Sequence, residues 1–235
     1  MSFLTDNLIP IFKKRELAFR ERYREAEDVY TFVFDKDKDL SWKAGQYGLF
    51  SIKHKKIKKG TKPFSLSSAP AEDAVRITTK IAGEPSEFKQ ALLEMERGTK
   101  IGMSGPLGPF YLKDRGPALF VAGGMGITPF RSIIKQLHLT GTGAGMSVRL
   151  LYLDGEKSYI YRSELGEKAG DSPISVSYLA SRDELYGEID EYAALHEDGK
   201  YFVAGPRSLV DAVSVYLQTK KVPKRNIAKD AFFGY

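Results

Sequence analysis

The sequence predicts two domains: an antiparallel β-barrel over residues 1–113 and, over residues 114–235, an α/β domain whose parallel sheet carries helices on both faces. Up to about residue 112 the chain is a run of short β-branched and aromatic segments punctuated by glycine and proline, the texture of a barrel or sandwich. After the turn-rich segment Gly105–Phe110, buried-type strands alternate with helical segments, which implies parallel strands joined by crossovers. A glycine-rich turn also runs directly from one of these strands into a helix.

The elements follow in order. Val29–Phe34 and Tyr47–Ile52 are β-branched and aromatic, and Val75–Ile81 alternates with period two, so all three read as strands. Gly45, Gly60, Pro63, Pro70 and Gly83 break the runs between and around them. One helix interrupts: Ser86 is a suitable N-cap for Glu87–Glu96, with Phe88, Leu92 and Met95 on one face and Gly98 at its end. In the second half, strands are expected at Ala118–Ala122, Val148–Leu153, Ile174–Leu179 and Tyr201–Ala204. Helices are expected from Pro129 to about Leu139 and from about Arg207 to Thr219.

Composition narrows the chemistry. A chain of 235 residues, 42% hydrophobic and 28% charged, is that of an ordinary globular protein. The absence of cysteine excludes disulfides, thiolate zinc sites, cysteine nucleophiles and cysteine-ligated iron–sulfur clusters. The three histidines, His54, His138 and His196, show no ligand spacing, so no metal is expected. No apolar run is long enough for a membrane span and the first residues lack signal-peptide order, so a cytoplasmic protein with no membrane insertion is expected. The net charge is +6, and Lys53, Lys55, Lys56, Lys58, Lys59 and Lys62 crowd the region around Gly60. No aromatic residue interleaves them, which argues against nucleic acid. A solvated hairpin tip or a docking face for an acidic protein are the two readings that remain. The sequence assigns no oligomeric state.

The segment Leu119–Arg131 carries the strongest local signal. Gly123, Gly124 and Gly126 let the backbone turn tightly and approach a bulky group, and Pro129 suits the first helical turn. Free N–H groups and the helix dipole there favour an anion such as a pyrophosphate. A purely structural βα turn is the plainer alternative. The spacing is not the G-x-G-x-x-G fingerprint, because Pro129 stands where its last glycine would be. Asp154, at the end of the next strand, is either a ribose ligand or a plain turn aspartate before Gly155.

Six segments in order resemble the ferredoxin–NADP reductase family, from about Arg22 to Tyr235. Trp42–Tyr47 resembles the strand before the flavin motif, Lys62–Ser68 its R-x-Y-S signature and Gly83–Ser86 its G-x-x-S. Gly105–Gly108 resembles the G-P-x-G that closes the barrel, Gly124–Pro129 the nicotinamide-nucleotide turn and Ala204–Pro206 the C-G-P. The resemblance implies a FAD-binding barrel and an NAD(P)-binding domain, with hydride passing from NADPH to flavin and single electrons then going to an acceptor. FAD and NADP are the implied cofactors, NAD is the alternative nucleotide, and sequence alone does not separate FAD from FMN. Flavin contacts are implied at Lys62, Pro63, Phe64, Ser65 and Leu66, at Thr79, Lys80 and Ile81, and at Gly83, Pro85 and Ser86. Nucleotide contacts are implied at Gly124, Gly126, Ile127, Thr128, Pro129, Ala204, Gly205 and Pro206. Ser181 and Arg182 match a Ser-Arg pair that holds the 2′-phosphate, although an exposed loop arginine is the simpler view.

The resemblance also implies catalytic positions: Ser65 and Thr128 around flavin N5 and the nicotinamide, Asp230 as the acidic residue near the C-terminus, and Tyr235 as a ring stacked on the flavin. For Tyr235 and its neighbours Phe232 and Phe233 an ordinary terminal strand is the alternative. Three positions depart from the family: Lys62 replaces an arginine, Phe64 a tyrosine and Ala204 a cysteine. A point charge at residue 62 grips phosphate less specifically than a guanidinium fork. The implied acceptor is a ferredoxin or flavodoxin. An oxygenase component, free flavin, a ferric chelate, or a non-catalytic flavin- and nucleotide-binding role are the alternatives.

Overall fold

The computed structural model describes residues 14–143, 145–166 and 174–232. The chain divides into two compact units, Met1–Tyr111 and Leu112–Tyr235.

The first unit is a six-stranded antiparallel sheet in the order β4-β3-β6-β1-β2-β5. Its strands are β1 (Lys14–Ala26), β2 (Val29–Phe34), β3 (Tyr47–Ile52), β4 (Thr61–Ser65), β5 (Val75–Lys80) and β6 (Lys100–Leu107). β1 is the corner. Its first residues pair with β6 and the remainder with β2, and register shifts after Phe19 and Arg24 supply the bend. The sheet curls until its edges approach, where the Ser67 N–H donates to the Arg76 carbonyl at 2.9 Å. Inward residues at period two fill it: Leu17 and Phe19, Phe32 and Phe34, Phe50, Ile77, Ile101 and Met103. Helix α1 (Glu87–Leu93) covers one end with Phe88, Ala91 and Leu92. A file of rings runs through this core from Phe19 to Phe34, Phe50, Phe64 and Phe88, with centroid separations of 5.8, 6.1, 6.0 and 5.6 Å.

Helix α1 is shorter than its sequence implies, stopping at Leu93 instead of Glu96. Two tertiary bonds pull the following turn away. The Arg22 guanidinium donates to the Met95 carbonyl at 3.1 Å, and the Gly98 N–H donates to the Phe19 carbonyl at 2.8 Å.

The second unit is a five-stranded parallel sheet in the order β11-β10-β7-β8-β9. It comprises β7 (Ala118–Gly123), β8 (Val148–Leu153), β9 (Ile174–Leu179), β10 (Lys200–Pro206) and β11 (Ile227–Phe232). One face packs Leu119, Val121, Leu151, Leu179 and Val203 against α4 (Arg182–Leu195) and α5 (Arg207–Thr219). On the other face Phe120 stacks on Phe130 of α2 (Ile127–Thr140) at 4.8 Å, and α3 (Arg162–Gly166) follows β8. Helix α2 starts two residues before Pro129, after a 3₁₀ turn at Gly124–Gly126. Pro129 thus stands third in the helix, still within the turn where no N–H is needed. Five elements, β1, β4, β6, α3 and α4, are not among the strands and helices expected from the sequence, and β11 is there only as the terminal-strand alternative for Phe232.

β7 and β10 are neighbours, but the chain leaves β7 toward β8 and β10 toward β11. That is the topological switch point, and the crevice outside the carboxyl ends of β7 and β10 is where such sheets bind ligands.

Candidate functional site

Two of the sequence-predicted segments meet at this crevice. A methyl group on Gly126 would lie 2.1 Å from the Ala204 carbonyl oxygen and 2.7 Å from the Gly205 Cα. One on Gly205 (φ +145°) would lie 2.9 Å from the Gly123 carbonyl oxygen, and one on Gly123 would lie 2.3 Å from a Leu209 methyl. The glycine turn and the Ala204–Pro206 segment therefore interlock backbone on backbone. Gly124 differs. It is half-exposed at φ +49°, and nothing lies within 4 Å of the position its Cβ would take. Room for a ligand is over Gly124, while the other glycines serve packing.

The N-terminus of α2 has no side-chain cap, since Gly126 occupies the cap position. The helix dipole there is unopposed by an internal carboxylate, and no acidic residue stands in its first turn. Ile127 and Thr128 are buried, and the Thr128 hydroxyl donates to the Met125 carbonyl at 3.0 Å. Ala204 is fully buried and lies beside the half-buried Asp230 in the β10–β11 register. Pro206 is exposed. Tyr235 lies outside the described residues.

Asp154 resolves in favour of the turn. Its Oδ1 accepts from the Glu156 N–H at 3.1 Å. Its Oδ2 accepts from the Ser158 N–H at 3.2 Å, the Ser158 hydroxyl at 2.7 Å and the Tyr159 N–H at 3.1 Å. A carboxylate so engaged organises its own loop. The loop is bent hard: Lys157, Tyr159 and Tyr161 all have positive φ, at 55°, 37° and 65°. Such strain in tyrosines persists only where surroundings over-determine it. Burial, with Asp154 adding to it, pushes both the Tyr152 and Tyr159 phenols up.

Ser181 and Arg182 stand at the carboxyl end of β9. Ser181 caps α4, its hydroxyl accepting from the Glu184 N–H at 3.3 Å, and the Glu184 carboxylate accepts from the Ala180 N–H at 3.0 Å. Arg182 is exposed.

In the first unit, β4 places Lys62 and Phe64 on one face and Pro63 and Ser65 on the other. Phe64 is half-buried, with its ring against Phe50 and Phe88, so it anchors β4 to α1 as well as offering an apolar wall. Ser65 ends β4 opposite Tyr47, and Leu66 is fully buried. Thr79 and Ile81 are buried at the end of β5, with Lys80 half-exposed between them. From there the chain passes Gly83 (φ +57°) and Pro85 to Ser86, whose hydroxyl accepts from the Lys89 N–H at 3.4 Å.

Lys89 is a residue that motif reading misses. It is half-buried, and burial, then the neighbouring Lys62 ammonium, hold its own ammonium below the usual value. Two like charges gathered beside a capped helix start fit a phosphate-bearing ligand. Its only signal in sequence is the three-residue spacing from Ser86.

Among the described residues no group of three His, Cys, Asp or Glu side chains is placed to hold a metal ion, and no helix is long and apolar enough to cross a membrane.

No protein-family model matches the chain. It is 29% identical over 221 residues to the reductase component of a propane 2-monooxygenase from Mycolicibacterium goodii, an alignment covering 82% of this chain and 60% of that protein. The chain spans less than two thirds of the length of the curated relatives it matches. Among solved structures it superposes on a ferredoxin–NADP+ reductase from Plasmodium falciparum with a TM-score of 0.80 at 17% identity, covering 93% of this chain and 96% of that one. A ferredoxin NADP+ reductase from Neisseria gonorrhoeae, solved with FAD and NADP, gives 0.77 at 18% identity over 94% and 99% of the two chains. The antiparallel curled sheet followed by a switch-point parallel sheet is the two-domain fold of the ferredoxin–NADP+ reductases.

Proposed function

We propose that the chain is an NAD(P)H-dependent flavoprotein reductase, with FAD held by the first unit and the nicotinamide nucleotide by the second. A bound flavin would supply hydride acceptance from the nicotinamide and one-electron release, chemistry no side chain supplies. The observation that carries the reading is the meeting of Gly123–Gly126 with Ala204–Pro206 at the switch point, beside an uncapped helix start.

The chain's own residues bind and orient. Helix α2 and the space over Gly124 take the pyrophosphate of the nucleotide. Lys62 and Lys89 take the flavin phosphates, Lys89 compensating in charge for the missing arginine fork. Phe64 offers an apolar wall and Ser65 a hydroxyl at the end of β4. Thr128 and Asp230 flank the nicotinamide end, with Ala204 leaving space where the family has cysteine.

For the acceptor, a ferredoxin or flavodoxin is one reading. A second, an oxygenase component, is favoured by the propane 2-monooxygenase relative, which is named as a reductase component. The exposed lysines 53, 55, 56, 58 and 59 suit an acidic partner in either case.

Anaerobic rapid mixing of the purified yellow protein with NADPH and with NADH tests the proposal, with the released flavin identified separately. Bleaching of the flavin within seconds is expected. Flavin that stays oxidised with both would leave only a binding role. An acceptor screen on the reduced protein then separates ferredoxin, flavodoxin, oxygenase component and ferric chelate.

A further inference from the structure

Arg162 opens α3 as an exposed residue, and its guanidinium carbon lies 4.7 Å from the ring centroid of Tyr178 and 6.0 Å from that of Tyr159. Three other arginines of this unit are committed to carboxylates: Arg131 to Glu164, Arg149 to Glu188 and Arg207 to Asp211. Among the described residues no carboxylate pairs with Arg162. It is a planar cation laid on an aromatic face, with its remaining donors directed by that stacking.

The platform beneath it is rigid. Tyr159 meets Tyr178 edge-on at 5.1 Å and Tyr152 at 5.4 Å, and its hydroxyl donates to the Leu179 carbonyl at 2.9 Å. Its N–H is one of the donors fixed by Asp154 at 3.1 Å. Tyr178 in turn donates to the Arg162 carbonyl at 3.4 Å. The Asp154 loop and the end of β9 thus hold one arginine in one place.

That place matters because of strand order. With a pyrophosphate at the end of β7 and the nicotinamide toward β10, the adenosine half falls toward β8 and β9. Arg182 stands there too, but Asp183 and Glu184 share its helical turn and offset its charge. A phosphate dianion at that end needs a second cation.

We propose that Arg162, held on Tyr178, is a specificity-determining residue that receives the 2′-phosphate of NADPH together with Arg182. The inference rests on the nicotinamide-nucleotide reading above and adds to it the residue that selects between the two dinucleotides.

Calorimetric titration of the full flavin-loaded chain with NADP+, NAD+ and 2′,5′-ADP tests it without turnover. Arg162→Gln should weaken NADP+ and 2′,5′-ADP at least tenfold and leave NAD+ within twofold. Tyr178→Leu, which removes the stacking face, should shift NADP+ in the same direction by a smaller factor, and Tyr178→Phe should leave it unchanged. An Arg162→Gln chain that binds NADP+ as wild type does, or that loses NAD+ in parallel, overturns the inference. Wild-type protein that binds neither dinucleotide overturns the nicotinamide-nucleotide reading itself. The melting temperature of each variant, expected to stay at the wild-type value for Arg162→Gln, separates lost recognition from lost folding.

Discussion

The Cα of Gly126 faces the carbonyl of Ala204 so closely that an added methyl would sit 2.1 Å from the oxygen. Both partners are backbone, so neither can rotate aside. Gly126→Ala is expected to destabilise the second unit by about 3 kcal/mol or more, the range of severe overpacking. Gly124→Ala meets nothing within 4 Å and carries only the strain of φ +49°, which costs about 1 kcal/mol. Its methyl occupies the space given to the nucleotide, so its main effect should be on affinity. Denaturant unfolding paired with NADP+ titration checks the contrast. Equal stability loss in both variants would refute the division of roles.

Lys89 is held below its ordinary value by burial and then by Lys62. A lysine depressed on folding binds fewer protons folded than unfolded, so stability rises with pH between its folded and unfolded values. Below that window the charged pair is a standing cost. Lys89→Gln should therefore raise the melting temperature of flavin-free protein at neutral pH while weakening flavin retention about tenfold, the loss of one charge-assisted bond. Fluorescence of released flavin measures the second effect. A variant that melts lower and retains flavin fully would count against a phosphate role.

Much of this architecture was legible, because barrel and parallel sheet write different periods. Residues 47–52 alternate between half-buried and buried, whereas 118–123 are buried throughout, as a strand covered on both faces must be. β1 was obscure for a physical reason. Most of KRELAFRERYREA is charged, and as a corner strand it turns only Leu17 and Phe19 fully inward. Helix α4 hid its apolar stripe of Leu185, Ile189 and Tyr192 among acidic residues and Gly187. At the site, the glycines and Ala204–Pro206 were readable as motifs, but their interlock needs the β10–β7 pairing. Lys89 and Arg162 belong to no motif at all. Each acquires its character from a neighbour distant in sequence, Lys62 for one and Tyr178 for the other.

Asp190 gives an acid-side prediction. Lys220 donates to it at 2.9 Å and the Tyr216 hydroxyl donates to both oxygens at 2.8 and 2.9 Å. The bond from Lys220, then that from Tyr216, hold the carboxyl below its ordinary value. A carboxylate depressed on folding contributes stability above its unfolded pKa, and that stability is lost as pH falls through the folded value. The pair is largely exposed and screened by solvent, so its contribution is small. Asp190→Asn should lower stability slightly at neutral pH and leave it equal to wild type at the acid end. Unfolding free energies from pH 7 to pH 2 check the convergence.

Asp154 separates a structural carboxylate from a ligand carboxylate. Its Oδ2 accepts three bonds, from the Ser158 N–H, the Ser158 hydroxyl and the Tyr159 N–H. In Asp154→Asn an amide either faces those donors or turns its oxygen to them and faces the Glu156 N–H, so at least one donor is unmet whichever way it flips. The expected cost is about 2 kcal/mol. Amide exchange should quicken from Glu156 to Tyr159, where three positive-φ residues depend on that anchor. Because Tyr159 supports the Arg162 platform, NADP+ affinity should fall while NAD+ affinity holds. A ribose ligand would give the opposite pattern, with both dinucleotides weakened and the loop's exchange unchanged.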